Sequence, residues 1–268
     1  MQNSVAFDVT LSAMNLPQLN FQERCRAAAT AGFTGIGLSL RQWLTERDRG
    51  ADVQTIKAIL ADNGLVLTEI EGPWDWAHQG DLNEEDALMV ELVNAFGPLQ
   101  VTAVQLAPTT GSGIRAGLRR WATLVQERDS VIALEFMPFG QVADLRSALT
   151  ILESVESGSV GLLLDTWHVE RTAAWSELHN IPIGSICSVQ LCDAEGQAAA
   201  DVRWEARHRR QLPGEQSRQL VERLDRLGHT PRYAVEVWSD GLNELDQSEV
   251  AQQLYAAATD VLGRGLAS

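Results

Sequence analysis

Gly161-Leu-Leu-Leu-Asp165 decides the fold: it is an unbroken apolar run, too short for a helix, stopped by a carboxylate. Continuous apolar segments of this length are typical of parallel strands buried on both faces. Val131-Ile-Ala-Leu-Glu135 lies before it, and Ser188-Val-Gln190 and Tyr233-Ala-Val-Glu236 lie after it, each ending on an oxygen-bearing side chain. In a (β/α)8 barrel every strand delivers its C-terminal end to one face, where the chemistry takes place. Glu135, Asp165, Gln190 and Glu236 are therefore expected to converge on one mouth, as an all-oxygen site for one hard divalent cation: Mn2+, Mg2+ or Co2+.

Around these four segments, strand-like and helix-like stretches alternate along the whole chain, the pattern of a parallel α/β architecture. The predicted strands run Val5 to Leu11, Gly35 to Leu40, Val66 to Glu71, Val101 to Leu106, Val131 to Phe136, Val160 to Asp165, Ile186 to Leu191 and Arg232 to Val237. Predicted helices run Phe21 to Ala31, Val53 to Asn63, Glu84 to Phe96, Ile114 to Glu127, Asp144 to Val155, Ala174 to His179 and Asp246 to Leu262. The first three end at Gly32, Gly64 and Gly97, the residue type that closes helices. This repetition predicts an α/β fold, a (β/α)8 TIM barrel forming a single domain over residues 1–268, a length that suits one such barrel. A doubly wound sheet is the alternative, but the first strand-to-helix turn lacks the Gly-x-Gly-x-x-Gly fingerprint. The connection from Cys192 to Glu215 is far longer than an ordinary βα loop, which points to a functional segment.

Charge and composition narrow the chemistry. A formal charge of -15 argues against a nucleic-acid partner, which needs a basic footprint. No run of 18 or more apolar residues suggests a membrane span, and Met1-Gln-Asn-Ser4 lacks a signal-peptide pattern, so a cytoplasmic enzyme is the expectation. Cys25, Cys187 and Cys192 are too few and too irregularly spaced for a disulfide framework or structural zinc, and read as free thiols. The only lysine, Lys57, falls in a helical pattern, away from the strand ends where Schiff-base chemistry would need it.

The local motifs add a resemblance. Leu134-Glu135-Phe-Met-Pro-Phe139, Leu164-Asp165-Thr-Trp-His168, Val189-Gln190-Leu-Cys-Asp193, Arg207-His-Arg-Arg-Gln-Leu-Pro-Gly-Glu215 and Val235-Glu236-Val-Trp-Ser-Asp240 resemble the xylose-isomerase-like TIM-barrel superfamily of sugar isomerases, epimerases and related endonucleases. The resemblance spans nearly the whole chain. It implies one divalent metal on Glu135, Asp165, Gln190 and Glu236, with Glu135 and Glu236 as the acid/base pair and His168 aimed at a substrate hydroxyl or carbonyl. It also implies that Arg210 reaches the substrate, since an arginine fork fixes oxyanions bidentately. The rest of the Arg-His-Arg-Arg run divides between that role and a solvated basic turn. Asp193 reads either as a residue orienting Arg210 or a ligand, or as a plain capping aspartate.

Glu71, with Trp74, Trp76 and His78, is expected to line the substrate pocket or to pack the barrel rim. The activity implied is a metal-dependent isomerase or epimerase of a keto-sugar or sugar phosphate, removing a proton beside a carbonyl. The partner is accordingly a small carbohydrate or cyclic polyol, and family members often assemble as homo-oligomers. Gln190 departs from the histidine of many sugar epimerases, and Gln-Cys-Asp with the downstream Arg-His and Pro-Gly is similar to 3-dehydroshikimate dehydratases. A lyase acting on a cyclic β-hydroxyketone, such as 3-dehydroshikimate or a keto-inositol, is the second reading. A noncatalytic ligand-binding barrel is the third.

Overall fold

A computed structural model of the protein describes residues 8–78, 80–155 and 157–265. Eight strands, Val9–Leu11 (β1), Gly35–Ser39 (β2), Val66–Glu71 (β3), Gln100–Ala103 (β4), Val131–Glu135 (β5), Val160–Asp165 (β6), Ile186–Leu191 (β7) and Arg232–Val235 (β8), pair in chain order and close on themselves. Every neighbouring pair is parallel, β8 returning to β1 through Val9 opposite Tyr233. The chain is thus a single-domain (β/α)8 barrel, as the alternating apolar runs require. Apolar side chains such as Leu162, Leu164, Val189 and Leu191 are fully buried between the strands and the surrounding helices.

The interior is not uniformly apolar. Glu69 of β3 is 4 % exposed, and a methyl group at Gly37 of β2 would stand 2.6 Å from its Oε1. Glycine at that position leaves the space that a buried carboxyl occupies.

The helices begin where their capping chemistry dictates. Asn20 accepts from Glu23 N while the Glu23 carboxylate accepts from Asn20 N, a reciprocal box that starts Phe21–Ala31. Gly32 ends that helix at φ 110, where a side chain would be strained. The unpredicted helix Leu40–Asp48 starts on the same device, Ser39 with Gln42. That Ser-x-x-Gln signal was present in the sequence, hidden inside an apolar run read as strand.

The strands end one to three residues before the predicted Leu40, Leu106, Phe136 and Val237; burial of Leu40, Phe136 and Val237 continues past the last ladder bond. Phe136 is fully buried although it follows β5. The first predicted strand begins earlier than β1, and its residues Val5, Ala6 and Phe7 lie outside the described residues. Thr110 caps a helix that opens at Gly111 rather than Ile114. The predicted helix from Ala174 to His179 is two short 3-10 turns, and the regular helix is Thr166–Arg171, starting directly at the end of β6.

The long connection from Cys192 folds over the mouth. It contains the helix Val202–His208 and is held by antiparallel bridges between Asp193 and Gln211 and between Arg209 and Ser239. The helix Glu215–Arg226 then leads to β8. Lys57 lies on the outer helix Val53–Asp62, its amine 5.6 Å from the Phe96 ring. No helix among the described residues is long and apolar enough to cross a membrane.

Candidate metal centre and active site

Asp165 shows how the strand end makes the site. As the last residue of β6 it also caps the next helix, Oδ1 accepting from His168 N at 3.0 Å. The cap holds the carboxylate rigid, and the three-residue spacing of a helical turn brings His168 to the same mouth. Register does the rest: Asp165 pairs with Gln190, and Gln190 pairs with Ala234, two residues before Glu236.

The geometry groups Glu135 and Asp165 with His168, and Gln190 with Glu236. Glu135, Asp165 and His168 can bring one donor atom each to within 4.8 Å of one another. Gln190 Nε2 donates to Glu236 Oε1 at 3.2 Å, and Ser12 Oγ donates to the same oxygen at 2.9 Å. His168 is fully buried with Nε2 3.2 Å from Glu135 Oε1, but the approach is off the hydrogen-bond direction and both ring nitrogens lack a partner. Gln190 Oε1 and Glu71 Oε2 are likewise buried and unpartnered.

Charge is unbalanced in the same sense. Glu69, Glu71, Glu135, Asp165 and Glu236 lie in or under the mouth, while Arg210 and Arg24 supply the buried positive charge. Burial, and then repulsion from Glu135 and Asp165 against the pull of Arg210, leaves the Glu236 carboxyl raised to about 8. Burial also raises Glu69 to about 7 and, reinforced by Glu236 and Glu135, holds Glu71 well above the ordinary range. Asp165 is the exception: burial would raise it, but Arg210 and His168 outweigh that and keep it below 3.8. Unpartnered imidazole and amide donors beside surplus buried carboxylate fit a divalent cation, and His168 stands within the donor group rather than only facing substrate.

Arg210 makes contacts beyond the substrate-facing role expected of it. Its Nη1 lies 2.6 Å from Asp165 Oδ2 and 3.1 Å from Glu236 Oε2, and its Nε donates to Ala206 O. The guanidinium is therefore committed first to two carboxylates, although it still borders the cavity. Asp193 does not touch Arg210. It caps Glu215–Arg226, accepting from Gly214 N, Gln216 N and Ser217 N, which is the plain capping alternative.

The cavity above these groups has a volume of about 60 Å3 and opens to solvent, and Glu71 and Trp74 both line it. Trp76 is buried in the core, and His78 pairs with Asp86 at 2.7 Å, so neither belongs to the mouth. Met137, Phe139 and Trp238 add apolar walls that sequence reasoning did not single out. Ser12 and Asn15 were missed as well. Asn15 donates to Val235 O and accepts from Val237 N, clamping the backbone on both sides of Glu236. Their signal was weak, two small polar residues just after β1.

Residues 25–258 match the family described as xylose isomerase-like TIM barrel, and the chain belongs to that family. No curated protein sequence matches it. Among solved structures it is similar to the IOLI protein with a binding zinc atom, at 17% identity and TM-score 0.80, covering 96% of this chain and 99% of that one. It is also similar to D-psicose 3-epimerase with D-tagatose from Clostridium cellulolyticum H10, at 13% identity and TM-score 0.66, covering 96% and 99%. The probable 3-DHS dehydratase AsbF of Bacillus anthracis, involved in petrobactin synthesis, is similar at 16% identity and TM-score 0.65, again over 96% and 99%. The chain spans 42% of the length of a longer match, a fusion of a xylose isomerase-like TIM barrel with 4-hydroxyphenylpyruvate dioxygenase. Likeness at these identities carries the fold and not the reaction.

Proposed function

We propose that the chain is a divalent-metal-dependent isomerase or epimerase that moves a proton beside the carbonyl of a keto-sugar. The observation that carries this is that Glu135 and Glu236 line one cavity while both ring nitrogens of His168 and the Oε1 of Gln190 are buried without a partner. Glu135, Asp165, Gln190 and Glu236 would hold the metal, Mn2+, Mg2+ or Co2+, with His168 as a further donor beside Glu135 and Asp165. When bound, such a cation supplies Lewis acidity that polarises a substrate carbonyl.

The protein's part is proton handling. One carboxylate removes the proton α to the carbonyl and the other returns it, from the opposite face for epimerisation or to the neighbouring carbon for isomerisation. Ser12, Gln190 and Arg210 hold both oxygens of Glu236, so this carboxyl is oriented before substrate arrives. Trp74, Phe139 and Trp238 restrict water at the reacting carbon.

A lyase is the second reading, supported by the aromatic walls, which suit the flat ring of an enone, and by the amide at Gln190. Here the same α-proton leaves, and the electron pair expels a β-hydroxyl as water. Incubation of the Mn2+-supplemented protein with a ketose panel in D2O separates these readings. The expected result is metal-dependent deuterium beside the carbonyl and an isomer otherwise unchanged in mass. Loss of 18 mass units from 3-dehydroshikimate ~, with no isomer from any ketose, would establish the lyase instead. Metal binding without proton exchange on either substrate type would leave a noncatalytic barrel.

A further inference from the structure

The run Arg207-His-Arg-Arg210 contains one cation with nothing to neutralise it. His208 pairs with Asp240 at 2.9 Å, Arg209 with Glu195 at 2.6 Å, and Arg210 with Asp165 and Glu236. Arg207 has no hydrogen-bond or ion-pair partner for its side chain among the described residues, and it lines the cavity. One helical turn earlier, the exposed Arg203 guanidinium lies 6.0 Å from the Phe139 ring, itself a wall of the cavity, and it too has no carboxylate partner. Like charges four residues apart weaken a helix, and the one acid within Val202–His208, Glu205, is engaged by Arg171 rather than by this pair.

We propose that Arg207, supported by Arg203, is the anion-recognition element of the cavity, so that the substrate carries a carboxylate or phosphate remote from its reacting carbonyl. The proposal names the substrate class of the site and rests on the reading of that site given above. Position and charge lead to it together. The floor presents the carboxyls Glu71, Glu135 and Glu236, and the cation beside them, Arg210, is engaged by Asp165 and Glu236. The unengaged guanidinium groups stand at the outer wall, and an oxyanion held there leaves the polyol or ketone end facing the carboxyls. A protein of formal charge -15 repels an anionic substrate as a whole, and two free guanidinium groups at the rim create the local attractive field that brings it in.

The test is calorimetric titration of the purified protein with inorganic phosphate and, separately, with benzoate at low ionic strength. One anion per chain is expected, with affinity at least about tenfold weaker in Arg207→Glu, less affected in Arg207→Lys, which keeps the charge and loses the fork, and weakened to a smaller extent in Arg203→Glu. Tighter phosphate supports a phosphate ester as the substrate group, and tighter benzoate a carboxylate. Binding of neither anion, or equal binding by wild type and Arg207→Glu, overturns the proposal. Mn2+ titration of the same proteins separates the two readings: unchanged Mn2+ affinity in Arg207→Glu is expected. A wild type that binds the anion through Arg207 but no Mn2+ sinks the metal reading and leaves the anion element standing.

Discussion

Arg210 neutralises part of a buried carboxylate cluster, touching Asp165 and Glu236 through one nitrogen. Removing one partner of such an ion pair leaves uncompensated buried charge. Arg210→Met, similar in reach but neutral, is therefore expected to lose about 3–5 kcal/mol in urea unfolding with chelator present, and Mn2+ should recover part of it. A loss below about 1 kcal/mol would mean that the pair is solvated. The two acid/base candidates give a second test at this scale. Glu135→Gln and Glu236→Gln keep size and one carbonyl oxygen while removing the base, so turnover should fall by roughly 100-fold or more. Metal content measured in parallel separates a lost base from a lost ligand, and near-normal turnover with metal bound would remove that residue from the role.

At the scale of elements, the connection from Cys192 to Glu215 behaves as a fastened cover. Glu205 on the helix Val202–His208 accepts from Trp167 Nε1 at 3.1 Å, Arg171 Nε at 2.7 Å and Ala199 N at 2.6 Å. The first two bonds tie the helix to Thr166–Arg171, the helix that carries His168, and so set the height of Arg207 over the cavity. Glu205→Ala removes the two oxygens that accept all three bonds, from a side chain that is 1 % exposed. The expected outcome is a stability loss of about 3 kcal/mol with faster amide exchange confined to the cover. Uniform acceleration across the barrel would show instead that the cover and barrel open as one unit.

For the whole molecule, the acidic mouth links stability to pH. Glu236 at about 8 and Glu69 at about 7 are raised from the ordinary 4.5 chiefly by burial. The folded protein thus holds protons that the unfolded chain releases between those values. The stabilisation is complete below 4.5 and is lost as pH climbs through about 7 and 8, by roughly 1.4 kcal/mol per unit for each group. In chelator the melting temperature should fall as pH rises from 4.5 to about 8. Mn2+ at a hundred times its dissociation constant adds roughly 2.7 kcal/mol. Its effect should be larger at the alkaline end, because protons and metal compete for the same carboxylates. A melt indifferent to both pH and metal would contradict the charge balance described for this barrel.

The sequence by itself determined the barrel and four of the residues at its mouth. Parallel strands buried on both faces require unbroken apolar runs, and all such strands present their C-terminal ends on one side, so Glu135, Asp165, Gln190 and Glu236 were legible as a group. Glu71, Trp74, Trp76 and His78 had two readings, pocket or rim, and the cavity takes only Glu71 and Trp74. Tertiary structure alone decided which charges meet. Arg210 is 45 residues from Asp165 in the chain, and nothing in its local pattern says that Asp165 and Glu236 take its charge while Arg207 is left free. Asp193 had two local readings, and only the position of Gly214 and Ser217 chose the cap. Asn15 and Ser12 reach Glu236 because β1 closes the barrel against β8. Sequence periodicity reports which faces are buried, whereas hydrogen bonds and ion pairs depend on distances that only closure of the barrel sets.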